Sequence, residues 1–499
     1  MIHLELIKKH AIAKPNVIAF KTSESETTWK DFQKNTEEKI IFLLMHYDRD
    51  LPSQASYIAS NRGDLLPWLS ALATLGIPVT GLDYTLPLRQ LREMNIAIGA
   101  ELVLFSSAIV CTDVITQLAQ PSAMLIDLDS ITTAYMGVVD NQHADVLTLI
   151  ADRNLPKRQY RTVGFTSGTS GNPKPVIRDT PFDSRRFTYF TQHYKFSDQD
   201  RFLAILPIYH AAGNGWVRLF LSLGASIFID TYDSPFVLKN ILENEKITAS
   251  VMSPIILNGL INAFPEDAKT ALPALRWLLI GGKHFTASLK LRALSVLGPS
   301  VHEYYGTTET GVNTLANPDD LLTHPHSVGR AYDGNTIMIV APDNKPVAPG
   351  ISGTVIIDSY MNMLCYAGGC VSQLQIEGRR YLVTPEQGYL DDEGRLYLLN
   401  RMQDPGNVCD LYGLEDVIRT LPNVSDVAIL PFKVPDATGL VCILSLKVPC
   451  EKEPILIDRI QHLARDRDIT FKKCAVLPII PYSPTGKVKI GEIGNILMS

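Results

Sequence analysis

The sequence has no basic excess, and this absence excludes one broad class of function. Lysine and arginine together number 46, against 52 aspartate and glutamate residues, for a formal net charge of -6. A general nucleic-acid-binding protein carries a basic excess that neutralises phosphates, so we expect no nucleic-acid partner. A local basic pocket for a single nucleotide is still compatible with this charge.

Cysteine motifs and long apolar runs are also missing. The seven cysteines are scattered, and the closest two, Cys365 and Cys370, have no second pair with the spacing of a zinc or redox site. The best apolar stretch, 203–229, is broken by polar residues and glycines before it reaches the ~18 residues of a membrane helix. The N-terminal residues lack the basic-then-apolar layout of a signal peptide. Reduced thiols, no membrane span and a cytoplasmic location are therefore expected.

The chain is long enough for two or three domains. At 499 residues it exceeds what one hydrophobic core usually supports. Strands such as Glu101–Phe105 alternate with helices such as Trp216–Leu223, a pattern typical of parallel sheets covered on both faces. From about residue 327, strands separated by tight turns indicate antiparallel β structure. Roughly one hundred residues of α+β pattern follow a polar joint at 401–406, enough for a small domain.

The stretch Phe165–Lys174 is the most informative segment. Its glycines let backbone N–H groups converge on an anion, its hydroxyls add donors, and its lysine adds positive charge. The spacing of a Walker A loop is absent. Composition alone also fits a mobile surface loop, because glycine, serine and threonine are common in loops. The candidate phosphate-binding residues are Thr166, Ser167, Gly168, Thr169, Ser170, Gly171 and Lys174.

The order of residues in this loop resembles the signature of the adenylate-forming superfamily, which includes acyl-CoA synthetases, peptide-synthetase adenylation domains and luciferases. That signature reads Thr-Ser-Gly-Thr-Thr-Gly-x-Pro-Lys, and residues 166–174 match it except at Ser170. Further motifs follow in the family's order over nearly the whole chain, in the style of ligases for acyl or aryl acids. The resemblance implies an α/β fold with a large N-terminal domain of parallel-rich sheets and a β subdomain at 1–403. A small mobile α+β domain at 404–499 would follow it.

Residues 304–309 resemble the superfamily's Tyr-Gly-x-Thr-Glu segment, although alone they also fit a turn after a strand. They offer an aromatic face, hydroxyls and a carboxylate, which suit adenine, phosphate and magnesium. The resemblance implies that Tyr305 stacks on adenine, Thr308 contacts phosphate and Glu309 binds Mg²⁺ as a catalytic residue. Glu386 would bind the ribose, although the family usually has an aspartate there. The remaining nucleotide-binding residues implied are Thr166, Gly282, Tyr304, Gly306, Thr307 and Arg401.

The C-terminal part of the resemblance concerns the hinge and the catalytic lysine. Lys487 lies in a Pro-x-Gly-Lys segment and would be catalytic, because an ammonium near the α-phosphate stabilises the charge that develops as pyrophosphate leaves. Asp404 would be the hinge carboxylate between the two domains. The family pattern breaks at 405–410, where either Gly406 is the glycine that lines the thiol tunnel or Asp410 replaces it.

A third motif concerns the acid substrate. Leu206–His210 resembles the family's segment beside the acyl pocket, although a lone histidine is equally often structural. Amino-acid-activating relatives have an aspartate in this region, and no carboxylate occurs between Leu206 and Leu223. Because an unpaired buried ammonium costs several kcal/mol, a plain aliphatic or aromatic carboxylic acid is expected. The pocket residues implied are His210, Gly215, Gly281, Gly282 and Gly306.

Together these motifs imply a ligase that uses ATP and Mg²⁺ to activate a small carboxylic acid as its acyl adenylate. The acyl group would then pass to the thiol of coenzyme A or to the phosphopantetheine of a carrier protein. Two alternatives stay open. One is an enzyme that transfers the acyl group to an amine or stops at the adenylate, and the other is a non-catalytic relative that only binds nucleotide.

Overall fold

The computed structural model describes most of the chain. The described residues are 1–47, 50–130, 145–153, 155, 162–166, 173–178, 184–265, 267–269, 271–367, 369, 371–401, 408–434, 437–448, 453–483, 486, 488–490 and 492–494. Several residues singled out above lie outside this set, namely Ser167, Gly168, Thr169, Ser170, Gly171, Asp404, Gly406 and Lys487. Their predicted roles therefore stay predictions.

Helices and strands alternate through the first half of the chain, and strands dominate the second half. The helices of the described residues are α1 (Leu4–Ala13), α2 (Trp29–Tyr47), α3 (Leu65–Thr74), α4 (Leu88–Ile98), α5 (Thr112–Leu118), α6 (Val146–Asp152), α7 (Ser184–Tyr194), α8 (Ala211–Leu223), α9 (Pro235–Asn244), α10 (Pro254–Asn262), α11 (Ala287–Leu297), α12 (Pro318–Thr323), α13 (Leu411–Arg419) and α14 (Glu453–Arg465). The strands are β1 (Ile18–Lys21), β2 (Glu26–Thr28), β3 (Ala55–Ile58), β4 (Val79–Gly81), β5 (Leu102–Phe105), β6 (Met124–Asp127), β7 (Thr162–Phe165), β8 (Pro175–Arg178), β9 (Arg201–Ala204), β10 (Ser226–Ile229), β11 (Ala249–Met252), β12 (Trp277–Ile280), β13 (Val301–Thr307), β14 (Gly311–Ala316), β15 (Arg330–Ala331), β16 (Thr336–Val340), β17 (Gly353–Asp358), β18 (Cys365–Tyr366), β19 (Gln373–Ile376), β20 (Arg379–Leu390), β21 (Leu396–Asn400), β22 (Val424–Val434), β23 (Ala437–Leu446) and β24 (Phe471–Val476). Among the described residues, no helix combines the length and the apolarity that crossing a bilayer requires.

The chain divides into two compact units, each assembled from three chain segments. The first comprises residues 1–252, 272–278 and 363–370, and the second comprises 253–271, 279–362 and 371–499. The domain boundary that the sequence suggested, between 403 and 404, falls inside the second unit. That boundary stays a prediction.

The first unit contains parallel sheets, as the alternation of strands and helices predicted. Strands β4, β3, β5 and β6 pair in this order, and every pairing is parallel. In another sheet β10 pairs in parallel with β1 and β9, and β9 pairs in parallel with β11. All residues of β3 and β5 are buried, because both faces of such a sheet are covered.

The second unit contains mainly antiparallel sheets, including the one predicted after residue 327. Its strands run in the order β16, β17, β20 and β19, and β21 also pairs with β20. Ile337 and Ile339 alternate along β16 and bury the same face in an apolar cluster with Val355. In the C-terminal part, β23 pairs antiparallel with β22 and parallel with β24. Leu414 of α13 and Ile460 of α14 belong to the buried cluster of this α+β region.

A buried ion pair joins α11 to β13 in the second unit. The Nζ of Lys290 lies 2.6 Å from Oε2 of Glu303, and the two side chains are only 1% and 3% exposed. Lys290 also donates to the carbonyl oxygen of Ser327 at 2.9 Å. Burial raises the pKa of Glu303, and the positive charge of Lys290 opposes that rise. Either charge alone would lie in the core without a counter-charge, so the two residues stabilise the fold only together.

We expect Lys290→Met to destabilise the protein by about 3–5 kcal/mol, because it leaves the Glu303 carboxylate buried without its partner. Urea and thermal unfolding measure this change. The control is Lys345→Met, which removes an exposed pair with Asp343 and should alter stability little. Equal stability of the two variants would contradict the importance of the buried pair.

Candidate active site

The glycine-rich loop connects two antiparallel strands of the first unit. Strand β7 pairs with β8, and Phe165 lies opposite Pro175 at the end of the pairing. The N–H of Thr166 donates to the carbonyl oxygen of Lys174 at 3.0 Å, and the N–H of Lys174 donates to Oγ1 of Thr166 at 2.9 Å. These two hydrogen bonds hold the ends of the loop side by side. Two predicted phosphate-binding residues are thereby fixed relative to each other.

A tyrosine that the sequence did not single out contacts the lysine of this loop. The Nζ of Lys174 lies 5.5 Å from the ring centroid of Tyr366. Tyr366 belongs to β18, which pairs antiparallel with β8 and forms the third strand of the sheet. A cation at this distance from an aromatic face is attracted to the ring. The contact therefore gives Lys174 a preferred orientation on this sheet.

An asparagine that the sequence also did not single out holds the segment before α8. The Nδ2 of Asn61 donates to the carbonyl oxygens of Leu206 and Asp230, each at 3.0 Å. Its Oδ1 accepts a hydrogen bond from the N–H of Ile208 at 2.8 Å. The Asn61 side chain thus forms hydrogen bonds with three backbone groups outside the helices and strands. These hydrogen bonds fix the path of the predicted acid-binding segment.

His210 is the N-cap of α8. Its Nδ1 accepts a hydrogen bond from the N–H of Ala212 at 3.2 Å, and its backbone is extended. The helix accordingly begins at Ala211, five residues before the predicted start at Trp216. This contact gives the histidine a structural role, and its role at the acid pocket stays a prediction.

Charged side chains lie close to two residues of the segment Leu206–Leu223, which includes the predicted acid-binding residues. A Cβ at Gly215 would lie 2.8 Å from the guanidinium of Arg186, so the glycine gives the arginine room against α8. Burial raises the pKa of the Tyr209 phenol, and the carboxylate of Asp83 raises it further. The segment Leu206–Leu223 has no carboxylate of its own, but the fold brings one to its tyrosine. No motif points to Asp83, because it lies far from this segment along the chain.

In the second unit, a glycine and a tyrosine of the predicted nucleotide site fit against each other. A Cβ at Gly281 would lie 2.3 Å from the ring of Tyr304, so any larger residue would collide with it. Gly282 has a φ of +88°, which glycine adopts without strain. At Gly306 a Cβ would lie 2.3 Å from the carbonyl oxygen of Gly311. The backbone near these glycines is therefore closely packed, as the predicted site requires.

Glu386 and Arg401, predicted from two separate motifs, form an ion pair. Their Oε1 and Nε atoms lie 3.4 Å apart. Burial by itself would lower the pKa of Arg401, but the charges of Glu386 and, more weakly, Glu309 raise it above the usual value. Burial raises the pKa of Tyr305, and Glu386 adds to that rise. The structure thus brings three of the predicted nucleotide-binding residues and the predicted metal ligand into one electrostatic cluster.

Glu309, the predicted metal ligand, lies beside hydroxyl groups. Its N–H donates to Oγ1 of Thr307 at 3.2 Å, and that hydroxyl also bonds to the hydroxyl of Thr310 at 2.9 Å. In the described part of the chain, no three His, Cys, Asp or Glu side chains gather into a metal cage. Mg²⁺ is commonly held by one or two carboxylates together with substrate phosphates. A single carboxylate whose own backbone is held by a hydroxyl-bearing turn fits that mode of binding.

The comparison with protein families decides where this chain belongs. A family model described as AMP-binding enzyme matches residues 7–367. The chain belongs to the AMP-binding enzyme family. The indoleacetate–CoA ligase of Aromatoleum aromaticum is a relative that is 22% identical over 502 residues, covering 99% of this chain and 98% of the ligase.

Solved structures of AMP-binding enzymes share the fold over almost the whole chain. The amide bond synthetase McbA from Marinactinospora thermotolerans has a TM-score of 0.77 at 18% identity and is covered over 99% of both chains. The O-succinylbenzoate coenzyme A synthetase from Bacillus subtilis, in complex with ATP and magnesium ion, has a TM-score of 0.77 at 20% identity, over 98% of this chain and 99% of that one. These likenesses confirm the predicted α/β fold with its C-terminal α+β part.

Asp410, one of two candidates for the thiol-tunnel position of this AMP-binding enzyme, caps a helix. Its carboxylate accepts a hydrogen bond from the N–H of Gly413 at 2.8 Å, at the start of α13. An N-cap side chain is oriented by the helix that it caps. The carboxylate of Asp410 therefore has a structural partner, whereas Gly406, the other candidate, lies outside the described residues.

Two variants of His210 test its role as a helix cap. We expect His210→Ala to lower the free energy of unfolding by about 0.5–2 kcal/mol, because the N–H of Ala212 loses its acceptor. His210→Asn supplies another side-chain acceptor and should lose less stability. Thermal unfolding of both variants measures the difference, and an equal loss in both would count against the cap.

Proposed function

We propose that this AMP-binding enzyme activates a small carboxylic acid with MgATP, forming an acyl adenylate, and then transfers the acyl group to coenzyme A. The observation that carries the proposal is the cluster of Glu309, Glu386 and Arg401, which the motifs assigned to metal, ribose and nucleotide. Sequence similarity to an indoleacetate–CoA ligase over almost the whole chain supports both the acid substrate and the thiol acceptor.

In the first step a carboxylate oxygen of the acid attacks the α-phosphorus of ATP. A bond forms between that oxygen and phosphorus, and the bond from the α-phosphorus to the bridging oxygen breaks, so that its electron pair leaves with pyrophosphate. The protein contributes positioning and charge stabilisation. Thr166 and Lys174 at the ends of the loop would hold phosphates, Glu309 would hold Mg²⁺, and Lys487 would stabilise the developing charge. When bound, Mg²⁺ supplies positive charge to the phosphate oxygens.

In the second step the acceptor attacks the acyl carbon and AMP leaves. The thiol of coenzyme A is the first candidate acceptor. An amine is the second, favoured by the similarity of the fold to an amide bond synthetase and by the departure from the family pattern at 405–410. A carrier-protein thiol and a cytoplasmic location stay predictions of the sequence.

The first step can be tested without knowing the acceptor. Exchange of labelled pyrophosphate into ATP should occur with at least one plain acid, and the panel should include indoleacetate, O-succinylbenzoate, benzoate and fatty acids. An α-amino acid should support much less exchange than a plain acid, because the segment Leu206–Leu223 has no carboxylate of its own to pair with the ammonium. Product masses with coenzyme A and with amines then identify the acceptor. Lack of exchange with every acid would contradict the proposal.

The catalytic lysine has a matched control two residues away. We expect Lys487→Ala to reduce pyrophosphate exchange at least ~100-fold, the scale seen when one transition-state donor is removed. Lys489 pairs with Glu492 at 2.9 Å, and Lys489→Ala should leave the exchange rate close to that of the wild type. Undiminished exchange in Lys487→Ala would overturn the assignment.

A further inference from the structure

We propose that Lys283 is a positioning residue that holds Tyr482 and Val488, the two described ends of the segment 482–488, in place. The inference rests on the proposed function, because the sequence puts the proposed catalytic Lys487 inside this segment. Lys283 directly follows Gly281 and Gly282 of the candidate nucleotide site, and it belongs to none of the motifs described above. It therefore links the nucleotide side of the site to the segment that carries the catalytic lysine.

The described residues at the two ends of this segment pair with each other. Tyr482 and Val488 form an antiparallel bridge. The N–H of Lys489 donates to the carbonyl oxygen of Pro481 at 2.9 Å, and the N–H of Gly486 donates to the carbonyl oxygen of Ser483 at 2.8 Å. A small displacement of Tyr482 is consequently passed on to Val488, the neighbour of Lys487 in sequence.

Tyr482 is held on its ring face and at its hydroxyl by different residues. The Nζ of Lys283 lies 3.7 Å from the ring centroid, well inside the ≈ 6 Å within which a cation is attracted to an aromatic face. The hydroxyl donates a hydrogen bond to Oδ2 of Asp426 on β22. The hydrogen bond ties the tyrosine to the C-terminal sheet, and the lysine ties it to the turn after β12.

The lysine is charged under ordinary conditions. Burial lowers the pKa of Lys283 to about 8, while the carboxylates of Asp426 and Glu415 act to raise it and Arg419 lowers it further. Because that pKa lies above 7, the ammonium form predominates at neutral pH. The ring of Tyr482 therefore faces a cation, which a neutral side chain of similar length cannot replace.

Hydrogen exchange of the full-length protein tests the contact without reference to activity. We expect the amides of Gly486 and Lys489 to exchange about 2- to 30-fold faster in Lys283→Met than in the wild type, since the cation–π attraction is lost. Lys283→Arg keeps a cation that stacks on aromatic rings and should restore slow exchange. The control is Lys39→Met, which removes a lysine 5.9 Å from the Trp68 ring centroid and should leave these two amides unchanged.

Pyrophosphate exchange provides the second readout. A positioning role predicts that Lys283→Met lowers kcat with little change in the KM for ATP, and that acyl transfer from a synthetic acyl adenylate keeps its wild-type rate. Unchanged amide exchange in Lys283→Met would overturn the inference, whatever the activity. Faster amide exchange with an unchanged kcat would support the contact and overturn the positioning role of Lys283, whereas failure of the proposed function would appear as a wild-type protein without pyrophosphate exchange. The two failures are thus distinguishable.

Discussion

In the second unit, buried charges are paired with counter-charges both in the core and in the candidate site, and both regions depend on this constraint. Lys290 and Glu303 satisfy it in the core, and Glu386 and Arg401 satisfy it where the nucleotide is proposed to bind. A lone buried charge costs several kcal/mol, so neither member of a pair can change independently. The same rule explains why Glu386 and Arg401, which belong to separate motifs, lie next to each other in the folded chain.

Much of the fold was predictable because local patterns specify it. The apolar run Glu101–Phe105 predicted a strand, and the alternation of strands with helices predicted parallel pairing. The start of α8 was predicted five residues too late, since Gly213 and Gly215 weaken helix propensity by ~1 kcal/mol each and obscure the pattern. The cap at His210 starts the helix despite these glycines. A cap depends on one side chain and its rotamer, which periodicity does not report.

The candidate site was predictable in part, for a different reason. Glu309, Glu386 and Arg401 belong to ordered motifs, and a motif retains its spacing even when its partners are distant. Asn61 and Tyr366 belong to no motif, and their partners lie far along the chain, so only the folded structure identifies them. Lys487 and Asp404 were also predicted from motifs, but they lie outside the described residues and stay predictions.

The pairing of β8 with β18 joins two strands that are synthesised at widely separated times. Cys365 follows its partner Ile177 by 188 residues, and the ribosome adds roughly 5–20 residues per second. The strand that ends in Arg178 therefore leaves the ribosome at least about ten seconds before the strand that covers its outer edge. The sheet that bears the glycine-rich loop is completed late, after most of the first unit has been made. Nascent chains shorter than about 370 residues would carry the loop on a two-stranded hairpin, which is marginally stable by itself.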